Sequence, residues 1–269
     1  MNIYLARHGT TEWNKAHLLQ GLTDIELDDT GLEMARQSGT RLAEMGIRFD
    51  HVFSSPLKRA YRTAQLICGI GNTGPKINSS VLPYPADIIR TDERLTELCF
   101  GEFEGRNIDE MIADEECVFR YFKIDPAGYD KAVSGMTQLS SGQEPPESLT
   151  ALLARTTCFV KEVIEPLCFN SSLSFENKVL PDDCSGGSGN PTNTNILICG
   201  HGALNRALLM YFKGITDFSQ FWGVGLQPNC GITRITCTPN ESGSITYDVQ
   251  NECMVLYDKD LNKRLTKLL

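Results

Sequence analysis

Two short stretches place histidine where it can do chemistry. Arg7-His8-Gly9 follows the apolar run Ile3-Tyr4-Leu5-Ala6, and Gly200-His201-Gly202 follows Ile196-Leu197-Ile198-Cys199. The chain has four histidines, so half of them stand beside glycine at the end of an apolar run. Arginine offers paired N–H donors to an oxyanion, which lysine cannot reproduce. A neutral imidazole nitrogen beside it can act as a nucleophile. Thr11 and Asn14 follow the first stretch closely, and Asn14 brings a further side-chain donor.

Both apolar runs read as buried strands. In open α/β sheets, ligands bind at the carboxyl ends of strands, which is where both histidines fall. Gly9 allows a sharp turn and close approach of a ligand. Thr30-Gly31-Leu32-Glu33 has capping-box form and predicts a helix ending near Gly46. His51-Val52-Phe53 predicts a second strand. Ser54-Ser55-Pro56 then predicts a helix start, with Ser55 as cap and Pro56 at the first helical position. Arg59 falls in the first turn of that helix. A long helix is expected over 108–129, and another over 149–164 that Pro166 should end. Ile232 to Cys237 and Ile245 to Val249 read as the last strands. Strands alternating with helices predict an α/β fold: a three-layer sandwich, its mostly parallel sheet covered by helices on both faces.

The 269 residues suit one domain, with insertions at about 106–150 and 170–195. The second insertion is rich in Ser, Asn, Gly and Pro and reads as a surface excursion. An apolar fraction of 41% is enough for a sizeable core. A net charge of −9 without a dense basic run excludes a nucleic-acid footprint. It also means that any anionic substrate must be held by a local cationic pocket. No apolar run approaches the ~20 residues that span a membrane. The first residues already form the strand carrying His8, so they do not read as a leader. Ten cysteines without a Cys-x-x-Cys pair suggest free thiols in a reducing cytoplasm. No metal-ligand spacing is present, and His17 and His51 have no partner motif.

Taken together, the motifs resemble those of the histidine phosphatase superfamily, the phosphoglycerate mutase-like fold of branch 1. Arg7-His8-Gly9-x-Thr11-x-x-Asn14 matches its first motif. Gln20-Gly21 matches its substrate-side loop. Ser54-Ser55-x-Leu57-x-Arg59-Ala60-x-x-Thr63-Ala64 is similar to its second motif. Leu95-x-Glu97 followed by Gly101-x-Phe103-Glu104-Gly105 is similar to its third, with Phe for the usual Trp. Glu147-Ser148 with Arg155 resembles a helix start common in the family, structural or at the pocket rim.

The resemblance implies a phosphatase of small phosphomonoesters, such as a sugar phosphate, that needs neither cofactor nor metal. It makes His8 the nucleophile and Glu97 the proton donor to the leaving oxygen. Arg7, Arg59, His201 and Asn14 would hold the phosphoryl oxygens, with Gln20, Gly21, Gly9 and Gly202 lining the substrate. Glu102 and Glu104 rival Glu97 but read as structural. One alternative is a phosphoglycerate mutase, but Gly105 is followed by Arg106-Asn107-Ile108 rather than by the Arg-Tyr pattern of mutases. Another is a catalytically weak module that binds a phosphorylated ligand. The expected partner is a small phosphorylated substrate, with no nucleic acid and no membrane. The oligomeric state is left open, a dimer among the options. Residues 106–150 carry no readable motif and are expected to arch over the pocket and set specificity.

Overall fold

The computed structural model describes residues 1–71, 84–85, 87–136, 144–173, 194–258 and 260–261. Strand β1 (Asn2–Arg7) is buried at every residue, as a central strand covered on both faces must be. It pairs in parallel with β4 (Asn195–Gly200) and antiparallel with β5 (Ile232–Pro239). β4 pairs in parallel with β2 (His51–Ser54), and β2 with β3 (Ile89–Thr91). β6 (Ile245–Met254) lies antiparallel to β5 at the other edge, giving the order β3-β2-β4-β1-β5-β6. Arg7 is in register with Gly200, and Cys199 with Ser54. The carboxyl ends of β1, β4 and β2 therefore finish level, and that edge carries the functional groups.

Strand alternation decides which helices cover which face. Ile3, Leu5, Ile196 and Ile198 pack with Leu149, Leu152, Phe159, Leu204 and Leu208. These last five come from α7 (Leu149–Phe159) and α9 (Gly202–Lys213). Tyr4, Ala6, Leu197 and Cys199 pack instead with Leu42, Ala60, Ala64 and Ile67. Those belong to α2 (Asp29–Glu44) and α3 (Lys58–Ile67). Each fully buried leucine contributes about 1.5–3 kcal/mol, so the two layers fix the strand ends firmly. The fold is the expected α/β sandwich, with its antiparallel strands confined to one edge.

Four local expectations are corrected. The cap of α2 is Asp28 rather than Thr30. Its Oδ1 accepts from Gly31 N–H at 2.7 Å and from Thr10 Oγ1 at 2.8 Å, so one buried carboxylate serves both the helix and the first motif. Helix α3 begins at Lys58, not Pro56. Ser55 Oγ accepts from Leu57 N–H in a local turn, and the Asp24 carboxylate, from a loop far away in sequence, takes the Lys58 N–H at 2.7 Å. The single helix expected over 108–129 is three: α4 (Ile108–Ala113), α5 (Phe119–Ile124) and α6 (Pro126–Ser134). Asp125 caps α6 ahead of Pro126, and a residue before proline resists helical backbone. Pro166 does not end its helix. A π-turn over Val160–Ile164 follows α7 and runs into α8 (Glu165–Leu173). The wider turn accommodates a residue that has no N–H and whose ring crowds the preceding carbonyls.

Phe119 of α5 packs edge-on or tilted against Phe100 and Phe103, and Phe122 against Phe100, Phe221, Trp222 and Tyr129 of α6. The 106–150 segment is thereby tied to the loops after β3 and α9. Its residues 137–143, and 174–193 of the proposed second insertion, lie outside the described residues. The nine cysteines among the described residues are free thiols. Among those residues, no helix is long and apolar enough to cross a membrane.

Candidate active site

His8 leaves the end of β1 almost wholly buried, at 3% exposure. Its Nδ1 lies 2.6 Å from the Gly9 carbonyl. A carbonyl can only accept, so Nδ1 carries the proton and Nε2 presents a bare lone pair. Burial first, then the charges of Arg59 and Arg7, hold its pKa well below the usual histidine value. The ring is therefore neutral at neutral pH, the state a nucleophile needs. His201, at the end of β4, has its ring centroid 5.2 Å from that of His8. Burial, Arg59 and His8 keep it neutral as well. Both its ring nitrogens are buried without a protein partner.

The two arginines are clamped from behind. Arg7 Nη1 donates to the Gln227 carbonyl at 2.6 Å. Arg59 donates from Nη1 to the Thr23 carbonyl at 2.9 Å and from Nη2 to the Gly21 carbonyl at 2.7 Å. Burial pushes the Arg59 pKa down to about 10, so it remains charged at neutral pH. The Nε of each arginine is buried and has no protein partner, and the same is true of Gln20 Nε2. Buried unpaired donors are costly and rare in folded chains. The two arginine donors lie where Arg7, Arg59, His8 and His201 all act on one another electrostatically. Such a cluster suits a ligand rich in acceptors and negative charge.

Glu97 is buried and sits against the N-terminus of α9. Oε1 accepts from Leu98 and Leu204 N–H at 2.9 and 3.0 Å, and Oε2 from Ala203 N–H at 3.1 Å. His201 caps this helix without a side-chain bond, so the carboxylate satisfies the free amides instead. Oε2 takes one donor and keeps a lone pair for a proton. A methyl group added to Gly202 would lie 3.4 Å from Oε2 and 3.9 Å from Arg7 Cζ, so the acid borders the cationic cluster.

Of the residues singled out in the sequence, Arg7, His8, Arg59, Glu97 and His201 thus converge on one place. Asn14 spends its Oδ1 on Thr11, capping α1 (Glu12–Lys15), and on Asn229. Gly9 also lies in close contact with the start of α2. A Cβ there would stand 2.6 Å from the Gly31 carbonyl, so glycine at this position admits α2. Gly21 likewise has no room for a side chain beside Glu104 and the Leu98 carbonyl. Glu104 is spent on the backbone, accepting from Leu22, Thr23 and Phe100 N–H. His17 lies 3.1 Å from Asp109, while His51 sits by Phe53 at the far end of β2. Among the described residues, no group of three or more His, Cys, Asp or Glu could hold a metal ion.

Gln227, Asn205 and Asn229 were not foreseen. Gln227 Nε2 donates to the Leu5 and Gly231 carbonyls and Oε1 accepts from Asn205, so its main-chain carbonyl is fixed against Arg7. Asn229 Nδ2 donates to the His8 and Gly9 carbonyls. The Gln227-Pro228-Asn229 stretch before β5, polar residues ahead of an apolar strand, is the only trace of this in the sequence.

The family profile described as "Histidine phosphatase superfamily (branch 1)" matches residues 3–166 and 188–248. The chain belongs to the histidine phosphatase superfamily, branch 1. A 2,3-bisphosphoglycerate-dependent phosphoglycerate mutase of Treponema denticola is 30% identical over 230 residues, covering 81% of this chain and 80% of the relative. Among solved structures, Bacillus stearothermophilus YhfR superposes with a TM-score of 0.64 at 21% identity, covering 95% of this chain and 99% of the other. A mycobacterial glucosyl-3-phosphoglycerate phosphatase does so with a TM-score of 0.60 at 20% identity, covering 94% and 98%. Both superpositions speak for the fold. Of these, the relative from Treponema denticola is named a mutase and the mycobacterial neighbour a phosphatase.

Proposed function

We propose that this member of the family is a phosphatase of small phosphomonoesters, working through phosphohistidine at His8. The observation that carries the reading is the bare Nε2 of His8, set beside two clamped arginines and a second neutral histidine. In the first step Nε2 forms a bond to phosphorus while the bond from phosphorus to the leaving oxygen breaks. Arg7 and Arg59 hold the phosphoryl oxygens bidentately, with N–H donors from His201, Asn14 and Gln20. Glu97 gives its proton to the leaving oxygen, which would otherwise depart as a basic alkoxide. In the second step Glu97 takes a proton from water, the water oxygen bonds to phosphorus, and the N–P bond breaks. Phosphate leaves and Glu97 is again protonated.

A mutase would share the first step and return the group to a substrate hydroxyl. It must also hold a second anionic group on its substrate. Here the segment after Gly105 is otherwise engaged: Arg106 lies over the Phe103 ring, and Asn107 Oδ1 caps α4 by accepting from Asp109 and Glu110 N–H. That favours water as the acceptor, although curated relatives bear the mutase name. Incubation with p-nitrophenyl phosphate should yield an acid-labile, base-stable phosphoprotein and released phosphate. With phosphoglycerate, phosphate release should outrun isomerisation. Isomerisation outrunning release would make the chain a mutase, and phosphate binding without any turnover would make it a binding module.

A further inference from the structure

Taking Glu97 as the acid of this reaction, we infer that the Arg155–Glu147 pair is a positioning device for it. Arg155 of α7 faces the main chain of the segment that carries Glu97. All five of its N–H donors are used. Nε and Nη2 grip the Glu147 carboxylate side-on at 2.7 and 2.9 Å. Nη1 donates to the Arg94 and Thr96 carbonyls, both at 2.8 Å, and Nη2 to the Glu97 carbonyl at 3.0 Å. Glu147 adds a second grip, its N–H donating to the Cys99 carbonyl and its Oε2 accepting from Cys99 N–H.

The residue that presents the acid is thus held on both sides, by carbonyls before it and by Cys99 after it. The Glu97 main chain is pinned to α7, while its carboxylate is pinned to α9. Two anchors on two helices fix where Oε2 stands relative to the pocket. Removing the main-chain anchor leaves the carboxylate attached to α9 but frees the turn to shift. Displacement by ~1 Å costs a catalytic group about 10²-fold. Lysine cannot replace Arg155, because its three donors lack the planar fork that meets a carboxylate and three carbonyls together.

The test separates positioning from general support through the leaving group. Arg155→Lys should slow single-turnover phosphorylation by an alkyl phosphate about 10- to 100-fold. Phosphorylation by p-nitrophenyl phosphate, whose leaving group hardly needs a proton, should stay within about threefold, with KM unchanged for both. In the Glu97→Gln background, Arg155→Lys should add no further loss with the alkyl ester. Equal losses with both esters, or additive losses in the double variant, would overturn the positioning role. If Arg155→Lys fails to fold, Glu147→Gln, which keeps the three carbonyl bonds but loosens the fork, should show the same pattern at smaller size; equal losses there would overturn it too. Failure of the native protein to become phosphorylated by p-nitrophenyl phosphate would overturn the reading of the whole site, and is distinct from these outcomes.

Discussion

The two halves of the pocket are held in opposite ways. On the cationic side, Arg7 and Arg59 rest on carbonyl oxygens of Gln227, Gly21 and Thr23. On the acid side, Glu97 rests on the N–H groups of Leu98, Ala203 and Leu204. The difference teaches what each half is for. Carbonyls orient a guanidinium and leave its other donors for an anion. Amides orient a carboxylate and leave one oxygen able to carry a proton. Loss of the cationic half should hurt every substrate alike, whereas loss of the acid half should hurt according to the leaving group.

The largest effect belongs to the group between the halves. His8→Ala should abolish turnover and phosphoprotein formation, because His8 is the imidazole whose Nδ1 is held on the Gly9 carbonyl with Nε2 left bare. Substantial residual turnover would end the covalent account. On the cationic side, Arg59→Lys keeps the charge but cannot hold two carbonyls and a phosphoryl group together. It should lower kcat/KM by about 10²–10³, the usual worth of a preorganised donor, and equally for p-nitrophenyl and alkyl esters. A loss that varied with the ester would break the comparison.

Glu104 is a control for the acid side. Its carboxylate takes three backbone N–H groups and the Thr23 hydroxyl, and so holds the loop whose carbonyls hold Arg59. Glu104→Gln should cost about 1–3 kcal/mol of stability in denaturant melts, with no dependence on leaving group. A smaller effect comes from the histidines. His8 and His201 both titrate below the ordinary value of 6.5 because of burial and the neighbouring arginines. The unfolded chain therefore binds more protons as pH falls through that value. Their contribution to stability is full above 6.5 and is lost as pH drops below it. His201→Gln should flatten that slope in urea melts; an unchanged slope would mean His201 is not held neutral. The smallest expected effect is none: EDTA should leave the rate unchanged, since the arginines supply the charge that metals supply elsewhere.

Much of the pocket was legible because its groups follow strand ends directly. Arg7-His8 and Gly200-His201 are contiguous with the apolar runs that place them, and their registers bring them level. Glu97 was legible through its spacing to Gly101 and Gly105. The clamps were not. Gln227 reaches Arg7 across 220 residues, and Asp24 supplies the cap that Ser55 was expected to give α3. Such contacts are created by the fold and leave no local spacing to read. The helix expected over 108–129 failed for another reason. Its apolar residues keep a helical period through two breaks, at 114–118 and at Asp125-Pro126. Pro166 misled because a π-turn absorbed it.

The division of labour is tested most directly by single-turnover phosphorylation of Glu97→Gln with two esters. The variant should lose about 10²–10⁴ with an alkyl phosphate, the usual worth of general acid catalysis, and far less with p-nitrophenyl phosphate. Equal losses with the two esters would contradict it.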